Sequence, residues 1–203
     1  ESYKRILEIN PRIICFVVYG QNVNAGTTNM SGATYLSSYL KEKNVVQPIC
    51  FVGSHIQALP VETLNKEKSI DIGLCNEGVY SIWNLLKIRN FNFENLKKIK
   101  GIVFRSKNEI VVNEPEVVVP QERMDIDLPG YAWDLLPKHK KPLDLYRSPM
   151  WHAEYDEDKR SPYAALQSSL GCQFKCDFCM INIINRNDND EIGVASNYSK
   201  MRF

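Results

Sequence analysis

Three cysteines near the end of the chain stand at a spacing that suits a metal centre. Cys172, Cys176 and Cys179 form the pattern C-x3-C-x2-C. Thiolates this close in sequence cannot serve separate sites, so the pattern predicts joint ligation of one centre, as in iron–sulfur clusters. A structural zinc site usually takes four protein ligands in two pairs, and no Cys or His follows Cys179. Three ligands on a four-iron cluster would leave one iron open; the alternative is three buried, reduced thiols that are close by chance.

The pattern resembles that of the radical S-adenosylmethionine (radical SAM) enzymes. These enzymes carry C-x3-C-x2-C in the loop after the first barrel strand, usually with an aromatic residue before the last cysteine, a position that Phe178 matches. The resemblance implies that Cys172, Cys176 and Cys179 hold a [4Fe–4S] cluster whose open iron binds S-adenosylmethionine. It also implies reductive cleavage of that molecule to a 5′-deoxyadenosyl radical, with an electron donor such as flavodoxin or ferredoxin as a partner.

Composition narrows the classes of protein to consider. The chain has 203 residues and a formal net charge of +1, which gives no electrostatic argument for a nucleic-acid partner. No segment approaches the roughly 18 consecutive apolar residues of a membrane span, and no signal peptide is visible, so no membrane association is predicted. The six cysteines, without a secretory context, favour metal ligation in a reducing compartment over disulfides, and the predicted location is cytoplasmic.

The residues before the cysteines repeat a strand–loop–helix unit three times. Continuous apolar runs predict strands at 13–19, 49–52 and 70–75, the first of them buried on both faces. Helical spacing of apolar residues predicts the intervening helices, which are 28–43, 60–66 and 79–86, after a helix that ends near Asn10. The units predict an α/β domain over 1–112, with an open parallel Rossmann-like sheet and flanking helices. Residues 101–112 add a predicted hairpin.

The loops after the three strands should meet at one edge of a parallel sheet. They are 20–26, 53–58 and 76–78, and the carboxyl edge of an open α/β sheet is where ligands bind. None carries G-x-G-x-x-G, so an ordinary dinucleotide site is not supported.

A proline-rich linker is predicted over 113–160, followed over 161–203 by the first strand and cluster loop of a partial (β/α) barrel. A complete barrel of this type takes about 250 residues. We therefore expect this chain to be part of a longer enzyme.

The first half also resembles the cobalamin-binding domain that precedes the radical SAM domain in one class of these enzymes. The similar stretches are 17–24, 52–60 and Glu77–Gly78, with further similarity in the linker at 127–129 and 133–137. The resembling domain begins with strands that would lie before Glu1. The D-x-H-x-x-G motif, with which methionine-synthase-like proteins supply an axial histidine to cobalt, is absent here, as it commonly is in the radical SAM class. His55 is therefore expected to contact the corrin and not the cobalt. The positions implied to bind cobalamin are Gly20, Asn22, Gly53, His55, Glu77 and Gly78.

Together the resemblances imply a cobalamin-dependent radical SAM enzyme. The expected reaction is methyl transfer through methylcobalamin to an unactivated carbon of a small-molecule or biosynthetic-intermediate substrate, although some relatives carry out cyclisation or ring contraction. The protein would hold the cofactors and substrate in line and exclude water and oxygen.

Two alternatives stay open. A radical SAM methylthiotransferase would carry a second cluster, for which Cys15, Cys50 and Cys75 are available. A non-catalytic iron–sulfur module would normally supply four cysteine ligands. Cys15 and Cys50 lie inside apolar strands and are expected to point into helix-covered faces, while Cys75 ends a strand and could approach the ligand edge alone. We therefore predict that these three cysteines are structural.

Overall fold

A computed structural model describes residues 1–20, 25–107, 109–135, 168–174, 176–184 and 201–203. Two compact units are present. The first comprises Glu1–Pro120 together with Gly171–Arg202, and the second comprises Gln121–Leu170 with Phe203. The predicted linker begins without helix or strand over 113–120, continues with short turns of helix from Gln121, and lies mostly outside the described residues. So does most of the predicted first barrel strand, so the barrel stays a prediction.

The described residues contain the following elements. The strands are β1 (Ile14–Val18), β2 (Ile49–Gly53), β3 (Ile72–Leu74), β4 (Ile102–Ser106), β5 (Glu109–Val112), β6 (Leu170–Gly171) and β7 (Met201–Arg202). The α-helices are α1 (Ser2–Ile9), α2 (Gly26–Glu42), α3 (Ser54–Ala58), α4 (Pro60–Lys66), α5 (Val79–Lys87), α6 (Phe93–Leu96), α7 (Met124–Asp127) and α8 (Ile181–Ile184). Short 3₁₀ helices occupy Gln121–Arg123 and Trp133–Leu135.

The first unit is built on a five-stranded sheet in the order β1-β2-β3-β4-β5. The first three strands are parallel, and β4 and β5 continue the sheet in antiparallel pairs. The predicted α/β class with flanking helices is therefore confirmed, whereas a fully parallel sheet is not: the predicted hairpin is the antiparallel extension of this sheet.

Apolar side chains cover the sheet on both faces. On one face α2, α3 and α4 contribute Leu40, Ile56 and Leu64 to a buried cluster that includes Phe51 of β2. On the other face Leu85 of α5 and neighbouring residues pack on β2, β3 and β4. Each fully buried side chain of this size contributes roughly 1.5–3 kcal/mol through removal from water, so the two clusters hold the strand ends in place.

The prediction that β1 is buried on both faces is wrong. Val18 is buried, but Cys15 is exposed and the Val17 side chain is 69% exposed. The physical reason is the position of β1 at the edge of the described sheet. On the face that carries Cys15 and Val17, the helices cover β2, β3 and β4. A continuous apolar run therefore did not distinguish a central strand from an edge strand.

A second correction concerns the predicted loop 53–58, which is largely the short helix α3. No proline or glycine interrupts Ser54–Ala58, and the turn closes when the Leu59 amide donates to the His55 carbonyl at 3.0 Å. The loop residues expected to bind a ligand are thus held on a defined helical turn.

Among the helices in the described part of the chain, none combines the length and apolar character needed to cross a lipid bilayer.

Substitution of Gly53 tests the packing where β1 and β2 end. A Cβ atom at this position would lie 1.9 Å from the Val18 carbonyl oxygen, and the backbone φ is +149°. We expect Gly53→Ala to lower the free energy of unfolding by at least about 1–3 kcal/mol, measured by urea denaturation.

Gly32→Ala is the matched control, because Gly32 lies within α2 and a Cβ atom added there would meet no atom within 4 Å beyond its chain neighbours and the helix's own backbone. It should raise stability by roughly 0.5–1 kcal/mol. Equal stabilities for the two variants would contradict the close approach.

Candidate functional site

The parallel pairing of the first three strands brings their carboxyl ends to one edge of the sheet, which we call the rim. Val18 and Gly53 are register partners at the ends of β1 and β2, and β3 ends at Leu74. The predicted site glycines Gly53 and Gly78 lie at this rim. Gly78 caps α5 in a left-handed conformation (φ +75°), and a Cβ there would lie 2.8 Å from Val52 Cγ2. Both positions therefore require glycine because other parts of the protein pack closely against them.

Two other predicted positions belong to the first rim loop. Gly20 follows β1 and is half-buried. Asn22 lies outside the described residues, so its predicted contact with cobalamin stays a prediction.

Three buried polar atoms at the rim lack hydrogen-bond partners among the described residues. They are Ser54 Oγ, Gln57 Oε1 and Asn76 Oδ1. Their side chains are almost fully buried, with relative exposures of 1%, 2% and 3%. Buried polar groups are nearly always paired in native proteins, so each such atom points to a water, an ion or a ligand. The three follow β2 and β3 directly, at the edge where a ligand is expected.

Tyr19 links the first rim loop to the second. Gln57 Nε2 donates to the Tyr19 hydroxyl at 3.4 Å, and Asn29 Nδ2 donates to the Tyr19 carbonyl at 2.7 Å. Burial raises the pKa of the Tyr19 phenol, and the nearby Glu77 carboxylate raises it further. The phenol therefore stays protonated and is available as a donor at the rim.

Glu77 is held by a buried ion pair. Its carboxylate contacts the Arg202 guanidinium and accepts a hydrogen bond from the Val119 amide at 2.9 Å, while Arg202 also donates to the Val119 carbonyl at 2.6 Å. The side chains of Arg202 and Glu77 are 3% and 15% exposed. The Glu77 carboxylate is thus committed to protein partners in this state.

His55 faces a cavity between α2 and α4. The cavity has a volume of about 400 Å³, and its polar lining includes Thr27, Thr34, Glu62 and Glu67. His55 Nδ1 and Thr27 Oγ1 are hydrogen-bonded at 2.9 Å. The imidazole therefore lies beside the rim but is oriented towards α2, a direction that the sequence did not predict.

Two of the three predicted cluster ligands, Cys176 and Cys179, lie on a short turn, and Cys172 precedes it. The Cys179 amide donates to the Cys176 carbonyl at 3.0 Å, which closes a four-residue turn around these two cysteines. The Phe174 amide donates to Cys172 Sγ at 3.4 Å. Cys176 is exposed and the other two thiols are partly exposed. The donor set suits an iron–sulfur cluster, but the thiols are not gathered: no three His, Cys, Asp or Glu side chains within the described ranges are arranged to hold a metal.

The cysteine turn leads directly into α8, which packs against α3 within the first unit. Since α3 follows β2 at the rim, the helix after the cysteine turn packs on the helix that carries two of the three unpaired polar atoms, Ser54 Oγ and Gln57 Oε1.

The remaining cysteines are distributed over the sheet. Cys50 is fully buried in the cluster that includes Leu85 of α5, and Cys75 is 1% exposed in the cluster on the opposite face. Cys75 therefore does not approach the rim as an exposed thiol. Cys15 shares a face with Cys50 but is exposed, which contradicts the expectation that it points into a helix-covered face.

Residues that sequence analysis did not select complete the rim. Tyr19, Ser54, Gln57 and Asn76 all fall in or beside the predicted loops, so their position was available as a signal, but their burial and missing partners were not. Arg202 had no such signal, since it is distant in sequence from Glu77.

The titration of His55 tests its environment. Burial lowers its pKa below the ordinary value of 6.5, Glu67 opposes this effect and Lys66 adds to it. Because the unfolded chain then binds more protons between the folded pKa and 6.5, stability should fall as the pH drops through that window. An NMR titration should show the depressed pKa, and Glu67→Gln should lower it further. A pKa at or above 6.5 would contradict the burial.

No protein-family profile matches the chain. The chain is similar to a protein of Pyrococcus horikoshii named uncharacterized methyltransferase PH0819, with 27% identity over 157 residues. That similarity takes in 77% of this chain and 30% of the relative, so the chain spans less than a third of the relative's length.

Proposed function

We propose that the protein is a cobalamin-dependent radical SAM methyltransferase, in which a [4Fe–4S] cluster and cobalamin bind in the first unit. The observation that carries the proposal is the C-x3-C-x2-C segment whose following helix, α8, packs on α3 at the ligand edge of an α/β sheet. The similarity to a protein named as a methyltransferase supports the transferase class.

The cysteine segment supports the cluster. Cys172, Cys176 and Cys179 would be its ligands, and the amide of Phe174 would donate to the first thiolate as it does to Cys172 Sγ here. Hydrogen bonds to cluster sulfurs are one of the ways in which a protein sets the potential of such a centre. When bound, the cluster would supply the electron that cleaves S-adenosylmethionine.

The rim supports cobalamin. Ser54 Oγ can donate, and Gln57 Oε1 and Asn76 Oδ1 can accept, which matches the amide side chains around a corrin ring. The Tyr19 phenol provides a further donor, since its raised pKa keeps the proton in place. The role of these residues would be to bind and orient the cofactor, which would carry the methyl group. The apolar clusters beneath the rim would keep water from that side of the site.

The methylthiotransferase alternative gains no support from the arrangement of the other cysteines. Cys75 is buried on the face opposite Cys50, so the three thiols do not meet. A second cluster held by all three cysteines would need ligands from both faces of the sheet.

Iron analysis tests the cluster. We expect the anaerobically purified intact protein to bind about four irons, and Cys176→Ala to lose the brown chromophore and the cleavage of S-adenosylmethionine, because a cluster ligand is removed. The double variant Cys15→Ala/Cys50→Ala is the matched control and should keep the full iron content. Full cleavage by Cys176→Ala would reject the cluster assignment. About eight irons, half of them lost in the double variant, would favour the methylthiotransferase.

Titration with hydroxocobalamin tests the rim. We expect Gln57→Leu to weaken binding about fivefold, because one hydrogen bond contributes about 1 kcal/mol. Stability without cobalamin should change little, since the variant removes an unpaired buried oxygen together with the long 3.4 Å hydrogen bond from Gln57 Nε2 to the Tyr19 hydroxyl. Val46→Thr is the control: this side chain is 86% exposed, lies before the opposite end of β2 and should not affect binding. Absence of binding to the folded intact protein would reject cobalamin, while leaving the cluster assignment to the iron analysis.

A further inference from the structure

Cys15 and Cys50 form a cross-strand pair at the edge of the sheet. They are register partners on the parallel strands β1 and β2, so their side chains lie on the same face. Neighbouring strands are about 4.8 Å apart, and disulfides form between Cα atoms about 4.4–6.8 Å apart. The Cα spacing expected for this pair therefore lies within the range found for disulfides.

The two thiols differ sharply in exposure. Cys50 is fully buried, whereas Cys15 is exposed beside Val17, on the part of this face that the helices leave open. The Cys50 thiol donates a hydrogen bond that lowers the pKa of Cys15, and the same contact, followed by burial, raises the pKa of Cys50. An accessible thiol whose pKa is lowered by a second thiol beside it is the arrangement found in oxidant-sensing cysteines.

We propose that Cys15 and Cys50 are a peroxide-sensitive modification site, in which Cys15 is oxidised and Cys50 resolves it to an intramolecular disulfide. The Cys15 thiolate attacks one oxygen of hydrogen peroxide, the O–O bond breaks, and hydroxide leaves, which gives a sulfenic acid. The Cys50 sulfur then attacks the Cys15 sulfur, the S–O bond breaks, and water leaves. Two thiols and one peroxide thus give one disulfide and two waters, and a dithiol reductant reverses the change.

This site is independent of the proposed cofactors. It uses neither the cysteines of the C-x3-C-x2-C segment nor the rim residues. Cys75, buried on the other face of the sheet, is too enclosed to take part and is an internal reference for reactivity.

The test is site-resolved mass spectrometry on the intact protein. The folded protein is treated with hydrogen peroxide, its remaining thiols are alkylated after denaturation, and the digested peptides are analysed. We expect the Cys15 and Cys50 peptides to leave the alkylated set together and to appear as one linked pair that dithiothreitol separates, while Cys75 stays alkylatable. Peroxide treatment in urea should abolish the preference for this pair, because the register of β1 and β2 is lost.

Two variants separate the roles of the thiols. In Cys50→Ala, Cys15 should stop at the sulfenic acid and be trapped by dimedone; in Cys15→Ala, Cys50 should stay a thiol because it is buried. The wild-type measurement stands alone if either variant fails to fold. Three results would overturn the proposal: Cys15 that stays alkylatable after peroxide, Cys15 oxidised further while Cys50 remains a thiol, or either cysteine linked to a different partner.

Discussion

The close approach of Gly53 to the Val18 carbonyl is the constraint on which the rim depends. These residues are the last register pair of β1 and β2, and the space between them excludes any side chain at position 53. The glycine lets β2 end and α3 begin at once, which places Ser54 and Gln57 against the strand ends. The geometry of this part of the candidate site thus follows from one backbone contact, which also positions the polar side chains of Ser54 and Gln57.

The sequence predicted those parts of the fold that depend on local pattern. Apolar runs located β1, β2 and β3, and helical spacing located α2 and α5 within two or three residues of their ends. It did not predict the exposure of Cys15 and Val17, because an apolar run carries no information about which helices cover it. It also missed α3, because the glycine before this segment suggested a loop. The five residues that follow contain no helix breaker and form the helix.

The sequence predicted where the candidate site lies in the sheet, but not which side chains contact one another there. Parallel strands imply a common edge for their loops, which placed Gly53, His55 and Gly78 near that edge, and the resemblance singled these residues out within the loops. Burial and hydrogen bonding depend on tertiary packing. The orientation of His55 towards Thr27 could not be deduced from spacing, nor could the ion pair between Glu77 and Arg202, because these partners lie far apart in the chain.

The ion pair of Glu77 and Arg202 explains how two distant parts of the first unit stay in register at the rim. A buried ion pair often adds little net stability, because removing two charges from water costs nearly as much as their attraction returns. Breaking it is costly, however, because it would leave one charge buried without a partner. The contact to Val119 strengthens this requirement, since both charged groups also bond to its backbone. The pair therefore acts mainly by specifying position, because it holds Arg202 beside the loop after β3. A second attachment holds α8 on α3, which follows β2. Both attachments follow the cysteine turn in the chain, and α8 begins directly after it, so contacts within the protein anchor the turn on its C-terminal side.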